Sequence, residues 1–164
     1  MDFFETVKTR RSVRVYSDKG VQKEAIEQVI DAGRLAATAR NEQPWEFIVT
    51  QDRDKLAEIG RLCPNGKFAS GASCLIAVFS KDTKYYIEDS SAATQNMLLA
   101  IEALGLGGCW IAGDKKDYAN EIRRLFVVPE GYKLVSMVSL GHPKTDEPPH
   151  PKRNLPDMIH WEKW

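Results

Sequence analysis

Three arginines and a serine fall within five residues, Arg10-Arg11-Ser12-Val13-Arg14, in a chain whose 23 basic residues balance 23 acidic ones. Guanidinium forks meet phosphate oxygens two at a time and a serine hydroxyl adds a short donor, so the segment is a candidate anion site. If it runs extended, side chains alternate, which puts Arg10, Ser12 and Arg14 on one side and Arg11 with Val13 on the other. A solvated charged loop is the competing reading. Asn41-Glu42-Gln43-Pro44-Trp45 sets two amides ahead of a strand. Amides donate and accept, which suits the edge of a heterocycle such as a pyrimidine dione, although Asn and Pro are also ordinary loop residues. Gly105-Leu106-Gly107-Gly108 follows a helical pattern and precedes a strand, the reverse of the dinucleotide fingerprint. Its expected duty is to stop the helix and turn into Cys109-Trp110-Ile111-Ala112-Gly113, where the small Ala112-Gly113 pair leaves room for a ligand near the backbone.

Other chemistries find no support. The sequence has no serine nucleophile elbow, HExxH or Walker loop, and its carboxylates are scattered. Cys63, Cys74 and Cys109 are odd in number and widely spaced without a CxxC pair, and Cys74 and Cys109, inside apolar runs, read as small buried hydrophobes of a reducing compartment. His142, His150 and His160 lack helical spacing, and no metal site is expected. A formal net charge of zero gives no global field for nucleic acid or an anionic membrane. Apolar runs fall short of a membrane span and the first residues do not form a signal peptide, so the expected setting is the cytoplasm.

The elements that must position these residues follow from periodicity. Asp2 and Glu5 resemble a capping box before a short helix with Phe3, Phe4 and Val7 on one apolar face. Helical spacing runs through residues 21–37, 52–62, 84–104 and 117–126, and strands are expected at 45–50, 73–80, 108–112 and 132–140. The stretch 73–80 is almost continuously apolar, as in a central strand covered on both faces. Strands alternate with helices, which predicts helices packed on a sheet. Residues 141–164 differ in kind, with five of the eight prolines (Pro143, Pro148, Pro149, Pro151 and Pro156) and the ending His160-Trp161-Glu162-Lys163-Trp164. Proline-rich chain cannot build its own core, yet two tryptophans suit no free tail. The expectation is one domain over residues 1–140 and an arm over 141–164 that packs on a partner subunit.

The order and spacing of these pieces resemble the nitroreductase family of FMN-dependent oxidoreductases. The resemblance is carried by Thr9 to Tyr16, by Asn41-x-Gln43-Pro44-Trp45-x-Phe47, by Ala93-x-Gln95-Asn96-Met97-Leu98-Leu99-Ala100, by Gly105 to Ile111, and by Lys152-Arg153 with the closing tryptophans. It implies an α+β three-layer sandwich, a mostly antiparallel central sheet flanked by helices, with an extended C-terminal arm. It also implies a homodimer with FMN at the interface, and hydride passing from NADH or NADPH through flavin N5 to a nitroaromatic, quinone or similar acceptor. Arg10 and Ser12 would hold the phosphate and ribityl region, with Arg11 counted beside them, and Arg14 would support negative charge at the pyrimidine end. Thr38 and Asn41 would reach the flavin from the other subunit, and Asn65 falls near a further contact position. Ile111, Ala112 and Gly113 would line the ring with a backbone N–H near N5, and Lys152 or Arg153 would return to the phosphate. Many members have Ser or Pro-Ser where this chain has Ala37-Thr38, and larger ones have an acidic residue at Ala112 and extra helices over the pocket. A non-catalytic FMN carrier or sensor is the alternative.

Overall fold

The computed structural model describes residues 2–146 and 148–164. Strand β2 (Cys74–Lys81) is buried at every residue but Lys81, as its unbroken apolar run requires. It lies between β1 (Trp45–Thr50) and β4 (Tyr132–Gly141), with β3 (Gly107–Ala112) beyond β4, in the order β1-β2-β4-β3. All three pairings are antiparallel. Alternation along β2 sends Cys74, Ile76 and Val78 to one face, where α2 (Lys23–Arg34) and α4 (Tyr86–Ala103) supply Ile26, Val29, Met97 and Ile101. Leu75, Ala77 and Phe79 point to the other face, onto Leu56 and Ile59 of α3 (Arg53–Leu62) and Ile122 of α5 (Ala119–Leu125). The result is the α+β three-layer sandwich that the family resemblance implied. Among the described residues, no helix is long and apolar enough to cross a membrane.

The β2–β4 register slips once. Val78 lies opposite Ser136 while Phe79 lies opposite Leu134, so Val135 is the extra residue of a bulge. The Val135 carbonyl accepts from both Gly113 and Asp114, each at 3.1 Å, and this turns the chain out of β3. At the other end of β3, α4 closes with Gly105 N–H on Glu102 O (2.9 Å) and Leu106 N–H on Ile101 O (3.0 Å). This is the glycine stop the sequence predicts. Three helices are shorter than their periodicity suggests by more than one residue, among them the one expected over 84–104, which is Tyr86–Ala103. The helix expected over 21–37 is Lys23–Arg34 and that over 117–126 is Ala119–Leu125. The helix expected over 21–37 closes at its C-cap Leu35, four residues before a tight turn at Ala39–Asn41.

Helix α1 (Phe3–Thr9) is capped by the Asp2 carboxylate, which accepts from Phe4 N–H at 2.9 Å. Its apolar residues do not join the core: Phe3, Phe4 and Val7 are exposed, and the buried residue of the helix is Thr6. The arginine segment that follows is stitched to the sheet. Val13 N–H donates to Gly108 O at 2.9 Å, Ser17 N–H to His142 O at 2.9 Å, and Lys144 N–H returns to Val15 O at 3.1 Å. The stitch is possible because a Cβ on Gly107 would stand 2.6 Å from Val13 Cγ2. Tyr16 locks the underside, its hydroxyl donating to Val13 O at 2.7 Å beside Ser139 Oγ at 2.8 Å. The arm is therefore rooted through Lys144, whereas residues 148–164 are exposed throughout and contain one 3₁₀ turn, Leu155–Met158. Trp161 and Trp164 are 81% and 99% exposed, with the Trp164 ring stacked on His160 at 4.2 Å.

Gly107→Ala is expected to cost about 1–3 kcal/mol through overpacking against Val13. A urea midpoint equal to that of the parent protein would contradict the close packing of the two segments.

Candidate functional site

The extended arginine segment divides its side chains as alternation requires. Ser12 pairs in a parallel bridge with Gly108, the residue before Cys109 on β3. This sets Arg10, Ser12 and Arg14 on the side of the segment opposite Arg11. Arg14, Ser12 and Arg10 all act on the Cys109 thiol electrostatically. Burial pushes the Cys109 thiol up from its ordinary range, while Arg14, Ser12 and Arg10 pull against that shift. Burial likewise raises the Tyr16 phenol, which Ser139 and Arg14 partly oppose. Both groups thus stay protonated and neutral beneath the cations near pH 7. The Arg14 guanidinium lies 5.6 Å from the centre of the Phe68 ring, a cation–π contact that fixes its direction. Among the described residues, no carboxylate lies within 4.0 Å of Arg10 or Arg14. Arg11 faces elsewhere: its Nη2 donates to Thr145 O at 2.8 Å and stands 3.9 Å from Asp146 Oδ1, so it braces the root of the arm.

The stretch at the end of β3 is closed on the side where a ligand was expected. Ile111 is buried against the α3/α5 layer, its side chain 3.1 Å from where a Cβ on Gly66 would stand. A Cβ on Gly113 would be 2.6 Å from Leu134 Cγ and 2.9 Å from Val135 C, so the missing side chain makes room for β4 and not for a ligand. The Gly113 N–H donates to Val135 O at 3.1 Å. Ala112 alone of the three is exposed, with its carbonyl accepting from the Tyr118 hydroxyl.

Thr38 and Asn41 sit on a backbone held in an unusual form. Arg40, Asn41 and Gln43 have φ of 56°, 57° and 47°, left-handed values that cost non-glycine residues free energy and recur at functional sites. Gln43 Nε2 donates to Asn41 Oδ1 at 3.0 Å, and Gln43 N–H to Thr38 Oγ1 at 3.4 Å. Asp89, in the first turn of α4, accepts from Ala39 N–H at 3.0 Å, and its second oxygen is buried without a partner. Sequence reasoning missed Asp89. The available signal was one carboxylate just ahead of the small-residue stretch Ser90-Ser91-Ala92-Ala93. Asn65 is exposed in a cleft of about 350 Å³ shared with Lys116 and Tyr118. Lys152 and Arg153 are exposed on the arm, Arg153 donating to Asp157 O at 3.0 Å.

Residues 7–82 and 64–142 match the sequence pattern of the Nitroreductase family. The chain belongs to the nitroreductase family. It is 41% identical over 95% of its length to an Archaeoglobus fulgidus protein, 95% of which is covered, that carries the provisional name NADH dehydrogenase/NAD(P)H nitroreductase. It is 27% identical to the NADPH-flavin oxidoreductase of Vibrio harveyi, over 94% of this chain and 70% of that one. Among solved structures, the FMN-dependent nitroreductase of Clostridium difficile R20291 superposes with a TM-score of 0.90 at 28% identity, over 98% of this chain and 99% of that one. The nitroreductase fold thus positions the arginine segment at the β3 end of the sheet, which the motifs could not locate.

Asp89→Ala removes the acceptor for Ala39 N–H, and hydrogen exchange there is expected to speed up by about tenfold or more. Unchanged protection across residues 39–43 would show that the turn holds itself.

Proposed function

We propose that the protein holds FMN between two copies of the chain and passes two electrons from NADH or NADPH to a small organic acceptor such as a nitroaromatic or a quinone. The observation that carries this reading is the bridge of Ser12 to Gly108 at the β3 edge, which with alternation puts Arg10, Ser12 and Arg14 on one side. Among the described residues, no carboxylate lies within 4.0 Å of either arginine. A patch of two guanidiniums and a hydroxyl fits a phosphate dianion, because each cation contributes bidentate, charge-assisted bonds that no internal acid already occupies. Bound there, FMN supplies a centre that accepts and returns hydride, which accounts for the absence of a catalytic acid among the motifs.

Arg10 and Ser12 bind the phosphate end. Arg14, aimed by Phe68, places fixed positive charge near the pyrimidine end, where negative charge develops on reduction. Thr38 and Asn41, held in shape by Asp89 and Gln43, come from the second copy. Exposed Ala112 offers a small surface to the ring, while Ile111 and Gly113 act through the strand that carries it. Lys152 and Arg153 reach the phosphate on the arm. Arg11 works at one remove, by fixing the arm's root.

The second copy is supported by surface that one chain leaves uncovered. Phe3 and Phe4 of α1 and the tryptophans of the arm are large, apolar and exposed, and covering them removes apolar area from water at about 25 cal/mol per Å². The three cysteines are free and buried, which supports a reducing compartment such as the cytoplasm.

The direct test is anaerobic mixing of FMN-loaded protein with each donor. The oxidised-flavin absorbance is expected to bleach with NADH, NADPH or both and to return on adding a quinone or nitroaromatic. Flavin left oxidised by both donors would contradict the reading. Deleting residues 156–164 is expected to weaken the dimer in sedimentation and to speed FMN loss. A truncated chain that dimerises as tightly as the full one would remove the arm from the interface.

A further inference from the structure

Strand β3 ends at Ala112 opposite Ser136, so among the described residues no strand pairs with the first residues of β4 on that edge. Beside this open edge, between the start of α4 and α5, lies a cleft of about 380 Å³ lined by Lys115, Lys116, Arg123, Lys133 and the rings of Tyr86 and Tyr132. Four cations against one lining carboxylate, Asp114, is a marked local excess in a chain with no net charge. The floor is an ordered relay. Lys133 Nζ stands 2.7 Å from Asp82 Oδ1 and 4.5 Å over the Tyr86 ring, and the Tyr86 hydroxyl donates to Asp114 Oδ1 at 2.8 Å. That relay engages the carboxylates. Lys115, Lys116 and Arg123 have none within 4.0 Å among the described residues, although Arg123 donates to Val128 O at 3.2 Å. Lys115 is held at φ 55°, a conformation that costs a residue with a side chain about 1–2 kcal/mol. The turn that imposes it is the one fixed by Gly113 and Asp114 on the Val135 bulge.

Uncompensated ammonium and guanidinium groups attract phosphates, and tyrosine rings give a planar base an apolar wall. Lys115 is two residues beyond Gly113, at most about 7 Å of extended chain. The cations therefore stand beside the strand end assigned above to the flavin ring. We propose that this cleft binds the adenosine-phosphate half of the nicotinamide donor, with Lys115 and Lys116 on its phosphates. The proposal rests on the oxidoreductase reading for the identity of the ligand. The phosphates concerned are either the diphosphate shared by NADH and NADPH or the additional 2′-phosphate of NADPH.

The test is calorimetric titration of FMN-loaded protein and of the Lys115→Gln/Lys116→Gln double variant with ADP and with adenosine 2′,5′-bisphosphate. Parent protein is expected to bind at least one probe, and the variant to bind it about tenfold or more weakly at an unchanged melting temperature. Loss confined to the bisphosphate assigns the lysines to the 2′-phosphate, and loss of both probes assigns them to the diphosphate. KM for the corresponding donor is expected to rise in proportion, while bleaching by dithionite and the FMN dissociation constant stay at parent values. Absence of binding by the parent protein, or equal binding by the variant, would overturn the assignment. Probe binding in a parent protein that neither donor reduces would contradict the oxidoreductase reading and leave the cleft standing.

Discussion

One backbone hydrogen bond, from Val13 to Gly108, sets which guanidiniums the protein presents and which it keeps for itself. A segment with three arginines in five residues has no intrinsic register. Pairing with the β3 edge supplies one, and a slip of a single residue would exchange Arg11 for Arg10 and Arg14 on the presented side. The register is locked from below by the Tyr16 hydroxyl on Val13 O and Ser139 Oγ, and sterically by the bare Cα of Gly107 under Val13. The same pairing ties the arm's root to residues 15–17, so the cation patch and the arm are placed by one structural event.

A bulge performs the corresponding service at the other end of β3. Val135 adds a residue to β4, and its carbonyl captures two consecutive N–H groups, which ends β3 and throws the chain into the Lys115 turn. Non-glycine residues take left-handed φ at residues 40–43, Lys115, Val127 and Glu162, and the first two of these places lie next to residues assigned to a ligand. Neither turn contains glycine at its left-handed positions. Each is instead over-determined by neighbours, through Asp89 on Ala39 N–H in one case and the doubled bond to Val135 in the other.

The layered fold was legible because its period signals are strong. The apolar run of β2 and the 3.6-residue spacing of α2 and α4 admit few other packings, and the family motifs supplied the antiparallel order that periodicity leaves open. The division of the arginines was legible too, since alternation along an extended segment is geometry and not context. What failed to show was set by contacts between distant residues. Gly113 looked like space for a ligand because a sequence does not reveal that Leu134 and Val135 occupy it. The apolar face of α1 was legible, but not its exposure, because hydrophobicity does not say what a face packs against. Asp89 passed unnoticed because its partner is a backbone N–H fifty residues away.

The central claim, that the register of one short segment builds a one-sided phosphate site, is tested most directly by titrating FMN into the parent protein and into Arg10→Ala and Arg11→Ala. A lost charge-assisted contact is worth about 1.5–3 kcal/mol, so Arg10→Ala is expected to weaken FMN binding roughly 10- to 100-fold, with a much smaller effect of Arg11→Ala. Equal losses in the two variants, or none in either, would contradict it.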